Sequence, residues 1–304
     1  MNSKFPEIPD DLRAMMAEIG PRWGTNPAGH VKLMIDRFSE VLKQSPKTGV
    51  NVQRGIPYGP HPRQMFDLFT PDRLEADRTA LVFVHGGAFL DGHPNRSDEI
   101  YSNVLQYFAR HGIVGINMGY RLAGDAKYPA ATDDVASVIK WTREHAGEIG
   151  IDASRIFLMA HSAGAAHAGS YAYDKRLQPS GGPGIAGFIV VSGRVRAETL
   201  PENPNAHKVA DYYDTTDAAM LDDFSPVNHV GPESVPTFVA WAEYENPLID
   251  LHCSELVYRL AAAKRRSPPV FWLRGHNHTS AIGHINTAED NLGRALLDFI
   301  VSPC

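Results

Sequence analysis

The sequence predicts an α/β fold: a mainly parallel sheet of about eight strands with helices covering both faces. Three observations carry this. Short apolar runs recur along the chain, stretches of helical periodicity separate them, and several of the runs end in glycine or another small, turn-forming residue. Strands that read as continuous apolar runs, not as apolar–polar alternations, are those buried on both faces, as in parallel sheets.

The elements follow in order. Residues 28–45 (AGHVKLMIDRFSEVLKQS) place apolar side chains at helical spacing and predict one amphipathic helix after a loose lead-in. Residues 63–70 (RQMFDLFT) and 80–87 (ALVFVHGG) predict strands, the second ending in paired glycines. A helix over 98–111, a strand over 113–120 and a helix over 129–147 come next, the last with Pro129 near its start, where a missing N–H costs nothing. Residues 155–164 (RIFLMAHSAG) read as a strand running into a sharp turn, followed by a helix of small residues. Apolar runs at 187–193, 237–243 and 270–275 predict three more strands, and 250–266 and 287–301 the last helices. Two stretches do not fit the alternation. Residues 1–50 are expected to form a helical cap segment, and about 194–230, rich in Asp, Pro and Asn, an insertion in the main domain, 51–304. Both are expected to lie over the sheet and shape a pocket.

Composition narrows the function. A formal net charge of −6 over 304 residues argues against a nucleic-acid footprint. No apolar run approaches the roughly 20 residues of a membrane helix. The acidic, proline-broken opening does not read as a secretory signal, and the two cysteines, Cys253 and Cys304, make neither a disulfide framework nor a zinc site, so a cytoplasmic protein without metal is expected. His276, His278 and His284 lack the accompanying spacing of a metal site.

Chemistry is concentrated in two motifs. Ala160-His161-Ser162-Ala163-Gly164 follows an apolar strand and precedes a helix. Small residues are needed there because the turn is tight, and serine at its apex stands clear of the backbone as a nucleophile. A helix-capping serine is the bland alternative. The second motif, His85-Gly86-Gly87-Ala88-Phe89, ends another strand 77 residues earlier. Paired glycines let backbone N–H groups approach a carbonyl oxygen that gains charge, so Gly86, Gly87 and Ala163 are the expected oxyanion donors.

Together with Tyr120-Arg121-Leu122, Tyr128-Pro129-Ala130 and Ser154-Arg155-Ile156, these motifs resemble the hormone-sensitive-lipase group of esterases in the α/β-hydrolase fold, best over roughly residues 55–170. The resemblance implies that fold, cofactor-free hydrolysis of short-to-medium acyl esters through an acyl-enzyme, and a helical cap. The expected partner is a small ester, with neither nucleic acid nor membrane, in a monomer or homodimer.

Chain order in this fold is serine, acid, histidine. By the family's register Asn246 stands where an aspartate is usual, so the adjacent Glu245 is the expected acid, with Asp250 and Glu243 as alternatives. The family's G-x-x-H spacing selects His278 after the last strand, with His276 as the alternative. His85, Phe89 and His161 are carried as substrate contacts, with packing as the competing role for His161; Trp23, Phe38, Phe89 and Tyr212 are candidates to line an acyl pocket, with a core role at least as strongly expected for each. Two rival functions remain. One is an amidase or aryl-formamide hydrolase, whose members usually carry tryptophan where this chain has Phe89. The other is a non-catalytic small-ligand receptor on the same scaffold.

Overall fold

The computed structural model describes residues 5–74 and 78–303. Eight strands form one sheet: β1 (Val50–Pro57), β2 (Met65–Pro71), β3 (Ala80–Val84), β4 (Val114–Met118), β5 (Ile156–His161), β6 (Gly187–Val191), β7 (Thr237–Tyr244) and β8 (Val270–Asn277). Their spatial order is β1-β2-β4-β3-β5-β6-β7-β8, with β2 antiparallel to both neighbours and every other pairing parallel.

Every residue of β3, β4, β5 and β6 is buried. Successive side chains still point to opposite faces. Val82, Val84, Leu158, Ala160 and Val190 pack under the helices Ala130–Glu144 and Gly164–Tyr173. Leu81, Phe83, Phe157, Met159 and Ile189 pack on the other face, against the helices Ser102–Arg110 and Asn291–Val301. An apolar run thus serves two cores at once, which is why these strands show no alternation in sequence.

The N-terminal segment differs from the expectation of a single helix. It holds two helices, Asp10–Ile19 and Pro27–Leu42, joined by a short 3-10 helix, Gly20–Thr25. Asp10 and Asp11 in the first turn complement the helix dipole. Pro27 opens the second helix, and the Asn26 side chain accepts from Gly29 N–H. Leu12, Trp23, Met34 and Phe38 are buried and anchor the segment on the second face. Strand β1 also lies outside the strands that the sequence predicts. Every one of its residues is exposed or half-buried, because it is an edge strand paired on one side only. Within 194–230 the helices Ala206–Tyr213 and Ala218–Phe224 bury Tyr212, Tyr213 and Leu221. No helix among the described residues is long and apolar enough to cross a membrane.

Strands β3, β5, β6, β7 and β8 run the same way, so their carboxyl ends open on one edge of the sheet. The residues just beyond those ends are His85, Ser162, Ser192, Glu245 and His278.

Burial also fixes a pH response. His85, His161, His167 and His284 are buried, and burial drives each well below the ordinary imidazole value of 6.5, His167 and His284 to about 3. The unfolded chain protonates these rings below about pH 6.5 while the native state does not, so stability falls as pH drops from 6.5, by about 1.4 kcal/mol per unit for each fully shifted ring. Urea unfolding is expected to show a clearly lower midpoint at pH 5 than at pH 7.5; equal midpoints would contradict this.

Candidate active site

The turn after β5 carries Ser162 at φ 56°, a left-handed conformation that non-glycine residues avoid. Holding it there costs about 1–3 kcal/mol, which the surroundings must offset. They do so through three backbone bonds: Ser162 N–H donates to Val191 O (3.3 Å), while its carbonyl accepts from Arg194 N–H (2.9 Å) and Ala165 N–H (3.0 Å). Gly164 lets the following helix descend onto β3, since a Cβ there would lie 2.4 Å from Val84 O.

His278 follows β8. Its Nε2 is 2.9 Å from Ser162 Oγ, and its Nδ1 is 2.6 Å from Glu245 Oε2. The histidine and glutamate side chains are only 4% and 2% exposed. The second glutamate oxygen, Oε1, accepts from Ala242 N–H (2.8 Å) and from the Ser192 hydroxyl (2.5 Å). Both carboxylate oxygens are therefore bound, which fixes the plane in which the imidazole is held. Ser192, itself at φ 49°, belongs to no sequence motif; its signal in the sequence is a polar residue directly after an apolar strand.

The alternatives lie elsewhere. His276 Nε2 pairs with Glu289 (2.9 Å) and its Nδ1 with Ser280 Oγ (3.1 Å). Glu243 accepts from Gly275 N–H (2.7 Å) and braces the bulge in β8. Asp250 sits in the first turn of the helix Ile249–Lys264, exposed. Asn246, at the family's aspartate position, accepts from Trp23 Nε1–H (2.8 Å) and ties the N-terminal segment to this loop.

His161 lies within a buried relay. The His278 carbonyl can only accept, so His161 donates from Nε2 (3.0 Å), leaving Nδ1 to accept from the Tyr101 hydroxyl (3.3 Å). Burial, with the neighbouring His278 next, lowers its pKa and keeps it neutral.

The Gly86–Gly87 loop approaches Ser162 as closely as glycine permits. A Cβ on Gly86 would sit 2.8 Å from Ser162 Cβ, and one on Gly87, at φ 153°, would sit 1.9 Å from Asp91 O. His85 packs behind the loop, stacked on Tyr120 at 4.3 Å. Phe89 stacks on Tyr212 at 4.8 Å. Both are buried within the fold, whereas His161 lines the cavity above Ser162.

That cavity has a volume of about 240 Å3. Val31, Ile35 and Ile282 form an apolar wall; Arg96, Asn205 and Lys208 supply polar groups. The N-terminal helix and the 194–230 segment thus both contribute to it. Among the described residues, no group of three or more His, Cys, Asp or Glu side chains is arranged to hold a metal.

A sequence model of the BD-FAE family matches residues 66–260. The chain belongs to the BD-FAE family. This BD-FAE protein is 32% identical over 115 residues to Esterase LipI of Mycobacterium tuberculosis, a match covering 38% of this chain and 34% of the relative. It is 35% identical over 85 residues to the ethyl acetate hydrolase of Pseudomonas putida, covering 28% and 26%. Esterase LipC of M. tuberculosis matches over 242 residues at 27% identity, covering 74% and 59%. The chain thus spans between about a quarter and three-fifths of these curated relatives. Among solved structures, Esterase B from Lactobacillus rhamnosis superposes with a TM-score of 0.70 at 17% identity, covering 96% of each chain. An arylesterase superposes with a TM-score of 0.65 at 20% identity, covering 90% of this chain and 95% of the other. The BD-FAE protein therefore has the α/β-hydrolase fold.

The glycine loop yields a stability prediction. Gly87→Ala is expected to cost more than about 3 kcal/mol, from the clash and the disfavoured φ together. Gly181→Ala, where a Cβ meets nothing within 4 Å, serves as control and is expected to stay within about 0.5 kcal/mol of the parent. Equal urea midpoints for the two variants would contradict the close approach.

Proposed function

We propose that this protein is a serine carboxylesterase that hydrolyses small, short-to-medium acyl esters through an acyl-enzyme. Ser162 is the nucleophile, His278 the general base and acid, and Glu245 the orienting carboxylate. The observation that carries this reading is the continuous chain from Glu245 through His278 to the strained Ser162, at 2.6 and 2.9 Å. The names of its relatives, two esterases and an ethyl acetate hydrolase, support the same chemistry.

The steps follow from the geometry. His278 Nε2 takes the Ser162 proton as Oγ attacks the ester carbonyl, and Glu245 stabilises the imidazolium that forms. Backbone N–H groups of Gly86, Gly87 and Ala163 are the proposed donors to the oxyanion, the last reinforced by the positive end of the helix Gly164–Tyr173. The imidazolium then protonates the departing alkoxide. A water activated by the same ring releases the acid and restores the enzyme.

The test is steady-state hydrolysis of p-nitrophenyl acetate, butyrate and octanoate. Ser162→Ala and His278→Ala are expected to lose about 10^4-fold or more in kcat, and Glu245→Gln about 10^3- to 10^4-fold. The cavity favours acetate and butyrate over octanoate. Turnover retained in Ser162→Ala would overturn the reading. Ser192→Ala is expected to lower kcat about 10- to 100-fold with KM little changed, because it removes one hydrogen bond from the buried carboxylate. A loss confined to KM would contradict that positioning role.

A further inference from the structure

Acyl transfer leaves one charged group of the cavity without a task. Arg96 lines the same cavity as Ser162 and His278 and is exposed to solvent. Among the described residues its guanidinium makes no hydrogen bond or ion pair. The other cation on the lining, Lys208, is paired, with Nζ 3.1 Å from Asp91 Oδ2. Among the described residues of that lining Asp91 is the one carboxylate, and the buried Glu245 behind His278 is held by that ring, Ser192 and Ala242, so Arg96 is left without an anionic partner on the cavity wall. Its field reaches the cavity floor, acting on the Tyr101 hydroxyl and the His161 ring that flank Ser162. The chain as a whole carries −6, so this is a local positive spot on an acidic protein.

We propose that the substrate is an anionic ester, whose acyl or alcohol part carries a carboxylate that Arg96 receives while Ser162 attacks the ester carbonyl. The inference rests on the serine-esterase reading above and deepens it. A guanidinium offers a planar fork of donors that matches a carboxylate. A single uncompensated charge beside a small cavity suits a monoanion better than a doubly charged phosphate ester. Asn205 and Asn246, also on the lining, supply neutral polar contacts that do not compete for the charge.

Two matched pairs test this. p-Nitrophenyl hydrogen succinate against its methyl ester places the charge on the acyl side. 4-Acetoxybenzoate against methyl 4-acetoxybenzoate places it on the alcohol side. The readout is the ratio of kcat/KM, charged over neutral, corrected for spontaneous hydrolysis. In the parent enzyme at low ionic strength, at least one pair is expected to favour the charged ester by about tenfold or more. Added salt should shrink that preference. Arg96→Gln should bring the ratio near one, Arg96→Glu should take it below one, and Arg96→Lys should retain part of it. A parent ratio near one on both pairs overturns the proposal, as does a ratio that survives Arg96→Gln. Hydrolysis of the neutral esters, abolished in Ser162→Ala, reports on the esterase reading by itself. With that hydrolysis present, a ratio near one removes only the anionic substrate; no turnover on any of the four esters removes both.

Discussion

Parallel pairing of β3 with β5, and of β5 through β8 in sequence, is the constraint on which the rest of the molecule depends. Because these strands share a direction, each delivers the residue after its carboxyl end to the same edge of the sheet. Ser162, Ser192, Glu245, His278 and the Gly86–Gly87 loop, scattered over nearly two hundred residues, are neighbours for that reason. The sheet stays rigid because its central strands are buried on both faces. That rigidity in turn holds Ser162 and Ser192 at backbone angles they would not adopt freely.

The same burial decides which elements are legible in the sequence. Strands β3 to β6 are legible because two-sided burial demands unbroken apolar runs. Strand β1 is not, because an edge strand with mostly exposed side chains carries neither a run nor a clean alternation. The helix Asp10–Ile19 does hold Leu12, Met16 and Ile19 at helical spacing, but it is short and the prolines around it mask the pattern. Within the site, the serine turn and the glycine loop are legible because backbone geometry restricts them to small residues. The acid is harder. Glu243, Glu245 and Asp250 sit within eight residues, and only the bulged register of β7 against β8 brings Glu245 under His278 while sending Glu243 to Gly275. Ser192 and Arg96 belong to no motif, and their places emerge only once strand ends and cavity walls are assembled.

Two layers of support surround the Ser162–His278–Glu245 chain. Ser192 and Ala242 saturate the second carboxylate oxygen, and His161 clamps the His278 carbonyl to Tyr101. Trp23, from the N-terminal segment, grips Asn246 beside Glu245. The covering segments thus bear on the machinery as well as on the cavity, so changes in them are expected to be felt in rate as well as in substrate choice.

The role of Ser162 as nucleophile is tested by intact-mass and peptide analysis after treatment with a p-nitrophenyl alkylphosphonate, which mimics the tetrahedral intermediate and traps an activated serine. The expected result is one phosphonyl group on Ser162, with labelling strongly slowed by His278→Ala. Hydrolysis of esters with no adduct, or with an adduct on another residue, would contradict the assignment of Ser162 as nucleophile.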